Sequence, residues 1–152
     1  MVWIDQIGKE VNELDDNVYG FIYQITYSSG KRYLGKKKAI SVVNKKAKKN
    51  GEPRKGHVRF FNRIVNRKRT KYEEVKTESN WREYEGSSEE IEDGDEIVNK
   101  MILLMVENES ALTYFEAKLL FAFGAIEGEE YYNKSILGRF FNKSTKGAIE
   151  YE

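Results

Sequence analysis

The sequence predicts an α+β fold, an α/β-sandwich-like arrangement in which a small three-stranded antiparallel sheet is flanked by helices. Three observations carry that prediction. Residues 18–27 (VYGFIYQITY) are dense in β-branched and aromatic side chains and are followed, after the turn signal Ser28-Ser29-Gly30, by a second strand-like run at 31–36. Residues 97–106 (IVNKMILLMV) are apolar enough for a strand buried in the middle of a sheet. Residues 111–123 carry a helical apolar pattern, with Ser110 placed to cap it and Gly124 placed to stop it.

The first two strands form a hairpin. With Gly30 in the left-handed position of a three-residue loop, Tyr27 pairs with Lys31, Tyr33 opposes Ile25 and Tyr23 opposes Gly35. Tyr23 and Tyr33 then share a face as diagonal neighbours, and Gly35 leaves room between them. A two-residue loop would send them to opposite faces. Residues 40–49 read as a mostly charged helix. Residues 58–69 read as a second one, with Phe60, Phe61, Ile64 and Val65 as its apolar stripe and Arg59, Arg63 and Arg67 at steps of four on its exposed row. After the buried strand and the helix at 111–123, a last segment opens at Tyr131-Tyr132-Asn133 with Ile136, Leu137, Phe140 and Phe141 as its apolar set. The element order is β-β-α-α-β-α-α.

Composition excludes several function classes. The chain has 152 residues, no cysteine and one histidine, His57. Disulfide frameworks, thiolate zinc sites, cysteine nucleophiles and multi-histidine metal clusters are therefore out. No apolar run approaches the ~18 residues of a membrane span, and residues 1–16 hold five acids against one lysine, unlike a signal or transit peptide. The expectation is a single domain over 1–152 with a basic insertion at about 37–76, working in the cytoplasm of its own cell or of a host, with no membrane partner. The net charge of +1 hides a sorted distribution: residues 1–30 carry −4, residues 31–71 carry +16 and residues 72–152 carry −11. Such a basic stretch is either a lysine-rich face neutralised by the rest of the fold or a phosphate-binding surface.

Glu116 stands out. At 100° per residue it falls within the apolar stripe of its helix, between Phe123 and Leu120. A carboxylate there costs several kcal/mol (roughly) unless it is ion-paired, protonated or bound to a cation. Mg²⁺ commonly takes one or two protein carboxylates and completes its shell with water and phosphate oxygens, so one well-placed Glu can serve.

Phe21-Ile22-Tyr23, followed ten residues later by Tyr33-Leu34-Gly35, resembles the paired signature of the GIY-YIG nuclease superfamily. Gln24-Ile25, the intervening turn, Glu116 in a helix and Asn133 in Tyr-Tyr-Asn fall in the family's order. Residues 78–88 (ESNWREYEGSS) resemble a segment common in phage-encoded, homing-type members. The resemblance covers about residues 19–139. It implies an endonuclease that hydrolyses phosphodiester bonds in double-stranded DNA, by nicking or cutting both strands, with Mg²⁺ or Mn²⁺ as cofactor. Tyr23 and Tyr33 would orient and help deprotonate the attacking water, Glu116 would hold the metal, and Asn133 would orient groups around the site. Two positions depart from the signature. Phe21 stands where its first Gly would be, with Gly20 adjacent, and Val43 stands where the family has an Arg. The missing cation then comes from Lys37 or Arg82, or from Arg59 or Arg63 by way of an insertion, and Tyr84 would take the place of the family's His or Tyr. His57 reads as a surface residue or a phosphate contact.

In that light the basic stretch is a DNA-backbone surface, formed by Lys38, Lys45, Lys46, Lys48, Lys49, Arg59, Arg63 and Arg67. Cutting both strands, or choosing a sequence, would call on a homodimer or a partner protein. The alternatives are a catalytically silent DNA- or RNA-binding module of the same fold, an RNA-directed nuclease, and an unrelated α/β interaction domain.

Overall fold

A computed structural model describes residues 1–150. In chain order the elements are β1 (Trp3–Ile4), β2 (Glu10–Val11), β3 (Gly20–Tyr27), β4 (Arg32–Lys38), β5 (Ile40–Lys46), β6 (His57–Val65), β7 (Lys68–Glu78), β8 (Ile97–Val106), α1 (Glu109–Ala122), β9 (Ser135–Ile136) and β10 (Phe140–Phe141), followed by a 3-10 turn at Asn142–Lys146. The mixed α/β class holds, with strands dominating and one α-helix among the described residues. The principal sheet has five strands in the order β2-β1-β8-β3-β4, not three, because the short N-terminal pair adds β1 parallel to β8. A second sheet, in the order β5-β7-β6, is built from the basic stretch.

The hairpin register is the one that the three-residue loop requires. Tyr23 opposes Gly35 and Ile25 opposes Tyr33; Gly30 has φ +88°, and the Tyr27 N–H donates to the Lys31 carbonyl at 2.9 Å. Alternation along β3 gives the sheet its two cores. Ile22 packs with Leu34, Val106 and the helix residues Leu112 and Leu120 on one side. Phe21, Tyr23, Ile25 and Tyr27 pack with Trp3, Trp81, Ile102 and Tyr132 on the other. Each large side chain buried this way contributes about 1.5–3 kcal/mol.

The two helices expected at 40–49 and 58–69 are strands β5 and β6. The β-branched run Ile40–Val43 and the aromatic, β-branched residues of β6 suit a pleated surface, and β7 supplies both with a pairing partner. In β6, Phe60 and Phe61 point to opposite faces, so the expected stripe does not exist. The expected row is broken too: Arg59 and Arg63 share a face because four is also a multiple of two, while Arg67 sits in the turn before β7. That turn has two non-glycine residues at positive φ, Asn66 (52°) and Arg67 (63°), as a type I′ hairpin requires. Asn108, not Ser110, caps the helix, its Oδ1 accepting from the Ala111 N–H at 2.8 Å. The last segment is the small β9–β10 hairpin, not a helix, turning through Leu137 and Gly138 at positive φ.

The second sheet leaves and rejoins the first at one point. Ile40 pairs with Glu78, the Ser79 N–H donates to the Ala39 carbonyl at 3.0 Å, and the Ser79 hydroxyl donates to the Lys38 carbonyl at 2.6 Å. Within it, Glu73 is fully buried. Its carboxylate accepts from the Arg54 backbone N–H (2.7 Å), the Arg54 guanidinium (2.8 Å) and the His57 ring (Nδ1, 2.7 Å). Burial alone would raise this carboxyl; the Arg54 N–H, His57 and the guanidinium outweigh it and hold the pKa at about 2. A carboxylate whose folded pKa lies below its unfolded value stabilises above pH ~4.5 and loses that contribution as the pH falls toward 2. Glu73→Gln should therefore lower the melting temperature by several degrees at pH 7, and thermal melts should show the gap to wild type closing between pH ~4.5 and ~2. A gap independent of pH would mean that Glu73 acts through packing alone.

Candidate active site

Strand β3 places Tyr23 at the centre of an aromatic cluster. Its ring lies 5.2 Å from Trp3, 6.3 Å from Phe21, 6.2 Å from Tyr33 and 5.9 Å from Tyr84, centroid to centroid. The residue is fully buried, and its hydroxyl has no hydrogen-bond partner among the described residues. A buried unpaired hydroxyl is an expensive feature, normally costing about 1–3 kcal/mol. Burial first, then the neighbouring Tyr84, Tyr33 and Glu116, pushes this phenol well above its ordinary pKa. Gly35 is what admits the hydroxyl. A Cβ there would stand 2.5 Å from Tyr23 Oη, 2.6 Å from its Cζ and 3.1 Å from Tyr33 Cε1.

Tyr33, on the neighbouring edge strand, is half-buried, and its hydroxyl hydrogen-bonds the exposed Ser87 Oγ at 3.2 Å. Burial raises this phenol too, with Ser87 opposing the shift and Glu116 and Tyr84 adding to it. The segment at 80–87 closes over both tyrosines. Gly86, at φ +93°, brings the backbone so near that its Cβ would lie 3.7 Å from Tyr23 Oη. Lys37 extends from β4 into this group, its Nζ 4.2 Å from the Tyr84 ring centroid and donating to Asn80 Oδ1 at 2.7 Å.

Glu116 occupies the same row of α1 as the buried Leu112 and Leu120, facing the sheet. It is half-buried and makes no ion pair or hydrogen bond among the described residues. Burial raises its pKa, and the nearby Lys36 ammonium opposes the rise. Lys36 is held there by donating to Thr113 Oγ1 at 3.1 Å.

The remaining expected residues fall elsewhere. The Arg82 guanidinium turns away from the tyrosines to Glu78 (3.1 Å) and Glu13 (3.6 Å) and lies 4.8 Å from the Trp81 ring centroid. The Asn133 amide is fully used on one residue of β4, its Oδ1 accepting from the Leu34 N–H (2.9 Å) and its Nδ2 donating to the Leu34 carbonyl (2.7 Å). That fixes the strand carrying Tyr33 and Gly35. Val43, Arg59 and Arg63 lie in the second sheet, and His57 is bound to Glu73. Lys38 pairs with Glu109 at 3.3 Å and Arg59 with Glu74 at 2.8 Å. Lys45, Lys46, Lys48, Lys49 and Arg67 are exposed, with no acidic partner among the described residues.

Lys100 was missed by the sequence reasoning. It is fully buried in β8, donates to the carbonyls of Tyr84 (2.7 Å) and Arg82 (3.3 Å), and sits 4.5 Å from the Trp3 ring centroid. It thereby anchors the segment that carries Tyr84 and Gly86. A lysine inside the apolar run of residues 97–106 was a readable signal, of the same kind that singled out Glu116.

The residues present fit a hard divalent cation. Glu116 is an unpaired oxygen donor whose charge acts on Tyr33 and Tyr23, and the Tyr23 hydroxyl lacks a partner among the described residues. Among the described residues no group of three or more acidic or histidine side chains gathers to hold an ion. A cation here would thus take a single protein carboxylate, with water and phosphate completing the shell, a common arrangement for Mg²⁺ and unlike an all-protein Ca²⁺ cage.

A family model described as "Putative endonuclease segE, GIY-YIG domain" matches residues 3–136. The chain belongs to that GIY-YIG endonuclease family. No curated protein and no solved structure matches it. The GIY-YIG match spans both tyrosines, Lys37, Tyr84, Glu116 and Asn133, and it also spans the whole second sheet, so β5, β6 and β7 lie within the matched region. No helix is long and apolar enough to cross a membrane among the described residues.

Proposed function

We propose that the chain is a divalent-metal-dependent endonuclease that hydrolyses a phosphodiester bond of double-stranded DNA, with Tyr23, Tyr33, Lys37 and Glu116 as its working groups. The observation that carries this reading is the unpartnered, buried Tyr23 hydroxyl together with an unpaired, half-buried Glu116 whose charge acts on both tyrosines. Neither group has a structural use that accounts for its cost. When bound at Glu116, Mg²⁺ or Mn²⁺ supplies Lewis-acid polarisation of the scissile phosphate.

The protein's own groups do the rest. At neutral pH both tyrosines are phenols, since burial raises each pKa. Tyr23 Oη, covered by the 80–87 segment, meets the attacking water once that segment moves aside, and then offers its free lone pair to the water and aims it at phosphorus. As the water attacks, its proton passes to Tyr33 Oη while the Tyr33 proton moves along its hydrogen bond to Ser87 Oγ and the Ser87 proton leaves to solvent. The Lys37 ammonium replaces the family's arginine and offsets negative charge on the phosphoryl oxygens. Tyr84 and Asn80 hold that ammonium, and Asn133 and Lys100 are positioning residues for β4 and for the segment over it. Arg82 is assigned a structural place between Glu78 and Glu13.

The test is conversion of supercoiled plasmid to nicked or linear form, with Mg²⁺ and with EDTA. Tyr23→Phe should lower the rate by roughly 10²- to 10³-fold, as loss of one positioned polar group does, without lowering the melting temperature, because the hydroxyl it removes is unpaired. Lys37→Met should cost a similar factor. Undiminished cleavage by both variants would overturn the assignment. A second reading is favoured by Val43, which lies in β5 and leaves the tyrosine cluster without the family's arginine. It is a DNA-binding relative without cleavage, and binding with no cutting under either metal would select it.

A further inference from the structure

We propose that the outer part of the β6–β7 hairpin, residues 62–71, is a two-stranded ribbon that enters the major groove of duplex DNA tip first. The inference rests on the reading of the chain as a DNA-acting protein and assigns that partner a distinct contact element. Strand β5 pairs with β7 over Tyr72–Glu78, so beyond Tyr72 the sheet narrows to two strands, Asn62–Val65 against Lys68–Lys71, tied to the third only at their base, where the Ala47 N–H donates to the Lys71 carbonyl at 3.0 Å. An isolated two-stranded ribbon is marginally stable in water, so one that projects from a sheet needs a reason. These ten residues hold five cations (Arg63, Arg67, Lys68, Arg69 and Lys71) and no acid.

The distribution of those cations selects the occupant. Cross-strand pairing puts Arg63 with Thr70 and Val65 with Lys68 on one face, and Asn62 with Lys71 and Ile64 with Arg69 on the other. A ribbon lying flat on a polyanion needs cations on one face; this one carries them on both, as an element between two phosphate rows would. Arg67 is at the tip. Arg67, Lys68 and Arg69 are exposed and have no acidic partner among the described residues. Ile64, 77 % exposed on the ribbon, has no core to join and suits contact with a thymine methyl or a sugar. Four residues per strand extend ~13 Å, enough to cross a groove about 8.5 Å deep and about 12 Å wide. The deep, narrow major groove of duplex RNA would not admit the ribbon.

At the base of the ribbon the aromatics make it rigid. Phe61 and Tyr72 stack with centroids 5.8 Å apart, and Arg63 lies 4.8 Å from the Tyr72 centroid. Lys71 covers Phe60 on the opposite face at 4.2 Å.

The experiment is equilibrium binding of a 30-base-pair duplex (about three helical turns) to the full chain in EDTA across a salt series, for wild type and Arg67→Gly/Arg69→Gln. Arg67→Gly creates an Asn-Gly type I′ turn, which favours the hairpin, so a loss of binding is not a loss of the ribbon. The expected result is affinity lower by roughly ten- to a hundredfold, with the slope of log K against log salt reduced by about two. Methylation of guanine N7, which projects into the major groove, should weaken wild type and leave the variant little affected, and duplex RNA should compete poorly. Unchanged affinity and slope in the variant, indifference to N7 methylation, or equal binding of duplex RNA would overturn the proposal. Failure of the nuclease reading looks different: plasmid stays intact with Mg²⁺ while these binding differences persist.

Discussion

Glu116→Gln should reduce metal-dependent plasmid cleavage by at least about a hundredfold, while the protein without metal becomes slightly more stable. The second half of that result follows from the environment of the side chain. Burial raises the Glu116 pKa in the folded protein, so folding disfavours the charged form relative to the unfolded chain. The stability associated with that proton is present below pH ~4.5 and is lost as the pH rises through the raised folded value. At neutral pH the wild type therefore holds a charge it would be more stable without, and glutamine removes the charge with little change of shape. The melting temperature in EDTA should rise slightly and not fall. Mg²⁺ at tenfold its dissociation constant should stabilise the wild type by about 1.4 kcal/mol and leave the Gln variant unmoved. A Gln variant that melts lower in EDTA, or still gains stability from Mg²⁺, would mean that Glu116 is a structural residue.

Gly35→Ala is the other substitution with a large expected effect, and its cause is steric. The added methyl would meet Tyr23 Oη at 2.5 Å and Cζ at 2.6 Å, well inside van der Waals contact. Tyr23 has nowhere to go, because Trp3, Phe21, Tyr33 and Tyr84 enclose its ring. Overpacking of this kind costs about 1–3 kcal/mol, and displacing a positioning hydroxyl by about 1 Å can cost a hundredfold in rate. Denaturant unfolding should report the first loss and plasmid cleavage the second. Full activity in a protein of wild-type stability would show that β4 can move away from Tyr23, and that the close approach at Gly35 is incidental.

What the sequence made legible follows locality. The β3–β4 register could be reasoned out because a three-residue turn with glycine in the left-handed position fixes it, and that turn is written in consecutive residues. Strand β8 and helix α1 are readable because their apolar patterns are long. Glu116 was readable because a carboxylate on an apolar row contradicts its surroundings. The second sheet was not readable for three physical reasons. Lysine and arginine spacing of four satisfies a helix row and a strand face alike. The turn at Asn66-Arg67 reaches positive φ without glycine. The pairing of β5 with β7 joins residues up to 38 apart, as in Ile40 with Glu78. The N-terminal Trp3–Ile4 pair was invisible because two residues carry no periodicity. In the candidate site, the tyrosine pair is legible in the pattern, whereas which of Lys37 and Arg82 lies against the tyrosines is not. That placement depends on which acids each cation reaches: Glu78 is four residues from Arg82, but Glu13 is brought to it only by the fold.

The junction at Ala39 and Ser79 separates two kinds of change. Because the chain departs at Ile40 and returns at Glu78 side by side, everything between can lengthen, shorten or be exchanged without shifting Tyr23, Tyr33 or Glu116, whose spacing is set by β3, β4 and α1. Insertions at such paired, surface-level exits are well tolerated because few contacts cross them. A lineage can therefore alter where this protein docks while its cutting chemistry stays under separate selection, and a graft at those two positions offers the same separation in the laboratory.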